Sequence, residues 1–299
     1  MTTKPVAWLN LSSMEHPTVK TSCWTAYGRL LAFAAAILVV STAFGAIAWP
    51  VCRMMKWDLS WWAVIRRCVS VASLVVLWMT LRFVHRRSFS SLGFGPWRTG
   101  KTQLVQGLAW GSSALVLIAI AYLLTGIWRI ELYADRARML RAVVGFLPAV
   151  GLVAVLEESI FRGYLLQQLH AYSTTVAVTL SSAAYALVHL RPPALRLDAW
   201  SELVGLFLLG VVLSIAYLRT RQLYLPVGLH AVLAYGAQVN KKLVVFADGV
   251  PSWLVGTSRL VNGVVTWLAL AALGYVVARY AWTKTEENVN RGEGSCGVE

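Results

Sequence analysis

Two adjacent glutamates, Glu157 and Glu158, close an apolar run from Ala142 to Leu156, and Arg162 follows the second by four residues. Further along, His189 ends the stretch SSAAYALVHL and His230 stands in LPVGLHAVLAYG. These five ionisable side chains lie in or beside long apolar stretches that are otherwise nearly free of charge. An ionised side chain at bilayer mid-depth costs roughly 2.5–3.5 kcal/mol on insertion scales. Groups placed there must face a cavity, neutralise one another or do chemistry.

Helical geometry sorts the two acids. Neighbours on a helix point about 100° apart, so Glu157 and Glu158 cannot face one partner equally. Glu158 and Arg162 are spaced i, i+4 with the acid first, the better orientation for a pair. Glu158 is then the counter-ion of Arg162, and Glu157 is left to look toward other helices. Tyr185 precedes His189 by one turn on the same face. Taken singly, the bland readings are a structural ion pair for the first cluster and interhelical hydrogen bonds for each histidine. Taken together, they bring an acid and two imidazoles from three segments.

Two chemistries fit one Glu and two His. In the first, a carboxylate takes a proton from water, one imidazole helps hold that water, and the second stabilises an oxyanion after attack on an amide. In the second, Glu157, His189 and His230 ligate Zn²⁺ as a His₂Glu set. No HExxH pair is present, and the three donors come from different segments. A cofactor-free reaction is the first expectation and zinc the alternative.

The elements that must position these groups are apolar helices. The 299 residues are 58% hydrophobic and only 13% charged, against about 25% charged for a soluble globular chain. Apolar stretches fall at 30–49, 66–84, 104–128, 142–161, 174–190, 203–219, 225–245 and 260–281, most of them near the length needed to span a bilayer. Backbone groups in lipid have no water partner, so the segments are expected to be helices. The fold class is all-α, a polytopic transmembrane bundle of about eight spans in a cell's inner or plasma membrane. No run alternates like a barrel strand. The 27 Lys and Arg flank spans and lie in loops, dividing almost evenly between the two sides. The positive-inside rule therefore gives no orientation, and the net charge of +14 gives no reason to expect a nucleic-acid partner. Membrane lipid and a peptide or membrane-protein substrate are the expected partners. Cys23, Cys52, Cys68 and Cys296 have neither metal-like nor framework spacing and read as ordinary thiols.

The chain divides into an N-terminal segment 1–29, flanking helices 30–141, a core 142–247 that holds the candidate site, a loop and last helix 248–282, and a polar tail 283–299. Arg86–Lys101 is a basic loop, Trp128–Arg141 a polar interfacial turn of helix, and Pro192 and Pro193 stop the helix that carries His189. Gly107 and Gly111 form a GxxxG spacing suited to close helix contact, within or between chains.

These motifs resemble the CAAX protease and bacteriocin-processing (CPBP, or Abi) family of intramembrane proteases. Two glutamates, three residues and an arginine stand at 157–162. An aromatic four residues before a histidine stands at Tyr185 and His189, and a histidine opens a late span at His230. RSFSSLGFGP at 87–96 is similar to the linker before the family core. The resemblance covers residues 142–247 well, the flanking spans only in character. It implies a glutamate-dependent endopeptidase in which Glu157 activates water, His189 assists, His230 contributes to the oxyanion site, and Glu158 and Arg162 support. Two positions depart from the pattern. Tyr185 replaces the usual Phe, and Ala234 stands four residues after His230 where Asn or Asp is common; Gln238 is a candidate replacement donor. Two other readings use the same residues: a proton- or ion-coupled transporter, and a non-catalytic scaffold or immunity protein of the same fold.

Overall fold

In the computed structural model, residues 23–133, 135–189, 197–257 and 260–281 are described. The segment before residue 23, Pro192 and Pro193, Cys296 and the polar tail lie outside them. Most of each of the eight apolar stretches is helical among the described residues. Helix α1 (Cys23–Met54) pairs with α2 (Trp61–Met79), whose N-terminus is capped by Ser60 Oγ on the Ala63 amide; α2 runs on as a π-turn over Thr80–Val84. A 3₁₀ turn (Phe89–Leu92) leads to α3 (Trp97–Leu124). Strand β1 (Trp128–Ile130), the basic helix α4 (Arg136–Val143) and α5 (Leu147–Glu158) follow, and α5 continues through a π-helix (Ser159–Leu166) into α6 (Gln167–His170). The second half comprises α7 (Thr174–Leu187), α8 (Leu197–Thr220), α9 (Tyr224–Leu243), β2 (Val244–Phe246), α10 (Ser252–Val255) and α11 (Val264–Tyr280).

Among the described residues four helical stretches, Tyr27–Met54, Trp61–Val84, Trp97–Leu124 and Ala199–Thr220, are long and apolar enough to cross a membrane. Their outward faces carry large apolar side chains such as Leu31, Leu38, Ile47, Leu117 and Leu124. The interior is apolar as well, with Leu209, Leu213, Leu225, Leu229 and Leu273 packed into one core.

The glycine pair on α3 serves a contact within the chain. A Cβ at Gly107 would run into the Leu225 carbonyl and the Leu229 nitrogen, and one at Gly228 would lie 2.5 Å from the Leu104 carbonyl. Backbones of α3 and α9 therefore touch, which fixes the helix that carries His230. The linker 87–96 docks on the α8–α9 turn: Leu92 is buried, the Leu223 amide donates to the Gly93 carbonyl (3.0 Å), and the Tyr224 hydroxyl donates to that of Gly95 (2.9 Å).

Three features differ from the reading of the sequence. Residues 128–130 and 244–246 form a two-stranded antiparallel ribbon, Trp128 opposite Phe246, where helix ends or an interfacial turn were expected. Three residues are too few for alternation to register as a strand. The segment expected over 142–161 is broken: α4 ends at Val143 and α5 begins at Leu147, with Pro148 in its first turn, where a missing N–H costs nothing. Finally, the helix that bears the two glutamates changes to π geometry directly after them.

Candidate active site

That π-helix is the local scaffold of the site. A π-turn bonds i to i+5 rather than i+4, widens the helix and leaves backbone groups in need of partners. Two serine hydroxyls bond to carbonyls of this helix. Ser159 Oγ donates to the Val155 carbonyl (2.6 Å), and Ser181 Oγ, from α7, donates to the Phe161 carbonyl (2.9 Å). The second bond couples the glutamate helix to α7, which leads into the turn that carries His189.

Glu158 and Arg162 form the expected pair, Nη1 to Oε1 at 2.8 Å, with both side chains fully buried. The same Oε1 also accepts from His230 Nδ1 at 2.7 Å. Arg162 Nη2 donates to the Gly210 carbonyl on α8 (3.1 Å), which Ser214 Oγ shares at 2.8 Å. Gly210 is small for a reason: a Cβ there would lie 2.8 Å from that of Ser182. Four helical segments thus converge on one buried ion cluster.

Both histidines have one nitrogen committed. His189 Nδ1 is 2.8 Å from the Tyr185 carbonyl, which can only accept, so Nδ1 carries the proton. His230 Nδ1 faces a carboxylate oxygen and donates to it. Each ring keeps Nε2 for Glu157, whose Oε2 lies 3.7 Å from His189 Nε2 and 3.8 Å from His230 Nε2. Those spacings exceed a direct hydrogen bond and suit a single bridging water. Glu157 Oε2 has no hydrogen-bond partner among the described residues. Access lies on the Glu157 and His189 side, where the side chains are 22% and 29% exposed against 5% for His230.

Tyr185 forms the floor. Its ring centroid is 4.8 Å from that of His189 and 5.8 Å from that of His230, edge-on to the latter, and the Arg162 guanidinium lies over its face at 4.8 Å.

All five candidate residues, Glu157, Glu158, Arg162, His189 and His230, meet in this one place. Gln238 does not join them: it is exposed and stands about 12 Å along the α9 axis from His230 at 1.5 Å per residue. The spacing of motifs gave no sign of Gly210, of the Ser181 bond or of the Glu158–His230 link. Among the described residues no group of three His, Cys, Asp or Glu side chains is arranged to hold a metal ion.

Residues 139–236 match the family model described as type II CAAX prenyl endopeptidase Rce1-like. The matched stretch contains all five site residues and Tyr185, and its similarity is to the CAAX protease family. Together with the four long apolar helices, the match identifies an integral membrane protein. No curated protein and no solved structure matches the chain.

Proposed function

We propose that the chain is an intramembrane endopeptidase that hydrolyses a peptide bond near the membrane surface with water activated by Glu157. The observation that carries this reading is the 3.7 Å separation of His189 Nε2 and Glu157 Oε2, a buried oxygen without a partner on a side chain that is 22% exposed. A water between them would point one proton at each and its lone pair at a carbonyl carbon. As the water oxygen bonds to that carbon, its proton passes to Glu157. When the C–N bond breaks, the same proton is delivered to the leaving nitrogen. His189, with its proton held on Nδ1 by the Tyr185 carbonyl, offers Nε2 only as an acceptor and so orients the water.

His230 has a different task. As an imidazolium it would donate from Nδ1 to Glu158 and from Nε2 to the carbonyl oxygen as charge develops there. In that state the charges of Glu157, Glu158, Arg162 and His230 sum to zero, which favours keeping the cluster away from water. Glu158 and Arg162 are positioning residues, one for the imidazole and the other for the acid.

The substrate is a membrane-associated peptide. The description of the matched family favours a prenylated C-terminal peptide over leader peptides or anchor segments. The protein would act as a multi-pass component of the inner or plasma membrane. The test is turnover, in proteoliposomes, of an internally quenched peptide with a farnesylated cysteine three residues from its C-terminus. Glu157→Gln should lower kcat about 10²–10⁴-fold, the usual worth of a general base, and unchanged cleavage would remove the assignment. A chelator should leave turnover unaltered; its loss would move the reading to zinc on Glu157, His189 and His230.

A further inference from the structure

The hydrogen-bond donors around the pocket can be accounted for one by one. Arg162 directs Nη1–H to Glu158 and Nη2–H to Gly210 and has no exposed surface. His189 commits its Nδ1–H to the Tyr185 carbonyl, leaving a lone pair at Nε2. His230 commits its Nδ1–H to Glu158 and has a second donor only as the imidazolium. Glu157 accepts. Ala234, one turn after His230, has no polar group. Hydrolysis of an amide needs donors aimed at the carbonyl oxygen as it becomes an oxyanion, and after this accounting the site has at most one.

Arg162 Nε and Ser182 Oγ also lack partners, but both residues are fully buried, which leaves the phenol of Tyr185. Its ring contacts both imidazoles and the Arg162 guanidinium, and its edge meets Phe161 at 5.3 Å. Among the described residues no side-chain hydrogen bond holds the hydroxyl, and the residue is 2% exposed. A Phe would supply the same ring packing, so packing does not explain the oxygen.

We infer that the Tyr185 hydroxyl is a catalytic donor that holds the scissile carbonyl oxygen, alongside His230, while negative charge builds on it. The phenol keeps its proton throughout; a hydrogen bond forms and no bond to hydrogen is broken. This role rests on the hydrolase reading. It also separates the two functions of the residue, since the backbone carbonyl orients His189 and the side-chain oxygen serves the substrate.

The experiment compares the unsubstituted protein, Y185F and E157Q in proteoliposomes with the farnesylated quenched peptide, below the melting temperature of each. Y185F should lower kcat about 100-fold, the order expected for one oxyanion donor, with KM nearly unchanged. Turnover by Y185F at the unsubstituted rate, with E157Q inactive, overturns the role of the tyrosine and leaves the hydrolase reading in place. A rise in KM alone, with kcat unchanged, also overturns it, because the hydroxyl would then be a ground-state contact. Failure of the unsubstituted protein to cut the peptide, or full activity of E157Q, removes the hydrolase reading and the tyrosine's role with it.

Discussion

Glu158 Oε1 accepts from two side chains, Arg162 at 2.8 Å and His230 at 2.7 Å, in a place with no solvent access. A buried charge left alone costs far more than the pair gains, so removing either partner of such a pair typically destabilises by about 3–5 kcal/mol. Arg162→Ala should therefore lower the unfolding midpoint in detergent by that order, and its loss of activity should follow from loss of folded protein. Glu158→Gln is the more informative change. The amide oxygen still accepts from His230 Nδ1 and the side-chain shape is kept, but the charge that balances Arg162 and an imidazolium is gone. Folding should survive in part while kcat falls with KM little altered, measured on the same quenched peptide. The Arg162 pair was legible from its i, i+4 spacing. The His230 bond spans 72 residues, and separations of that kind leave no periodic trace in a single sequence.

At the scale of elements, the α3–α9 crossing sets where His230 stands. Gly107→Val would force the Leu225 carbonyl and α9 outward; overpacking of this kind costs typically about 1–3 kcal/mol. The expected result is a lower melting temperature together with reduced turnover, since His230 moves with its helix. Gly126→Val serves as the contrast in space alone, because a Cβ there meets nothing, although its φ of +70° adds backbone strain. The GxxxG spacing marked this contact in advance without naming the partner helix. The π-helix was not legible, because apolar periodicity over eight residues does not distinguish 3.6 from a wider turn.

The π-helix also has an outer neighbour with a pH response. His85 follows the π-turn of α2, and its Nε2 is 3.4 Å from the Tyr164 hydroxyl. Burial, and then the Arg29 and Arg87 charges, hold its imidazole below the ordinary value of 6.5. The unfolded chain therefore takes up this proton at a higher pH than the folded one. Above 6.5 the group contributes no pH dependence; as pH falls below 6.5, stability drops until the folded imidazole also titrates. Unfolding midpoints in detergent at about pH 5 and about pH 8 should differ by less in His85→Gln than in the unsubstituted protein. An unchanged difference would assign the acid sensitivity to other groups.

The whole molecule presents two polar ends joined by apolar helices, and the ends can be identified from contacts rather than from charge. At one end, Gln167 Nε2 donates to the Ser91 carbonyl and Arg221 to His170 Nε2, so the 85–96 linker, the α6–α7 turn and the α8–α9 turn lie together. At the other, the Ala247 amide donates to the Ile127 carbonyl, joining the ends of α3 and α9. Helix α3 has 28 residues and reaches about 42 Å at 1.5 Å per residue, more than the hydrocarbon core of about 30 Å. Charge alone gives no such result, because eight spans would divide the basic residues almost evenly. Contacts do, because each loop is tied to a neighbour by its own hydrogen bonds. Single cysteines at Ser88 and Tyr172, in a background without native cysteines, should label with an impermeant maleimide from one side of sealed vesicles. Cysteines at Gly126 and Asp248 should label only from the other. Labelling of Ser88→Cys and Gly126→Cys from the same side would mean that α3 does not cross, and the basic helix α4 would then lie on the same membrane face as the linker instead of opposite it.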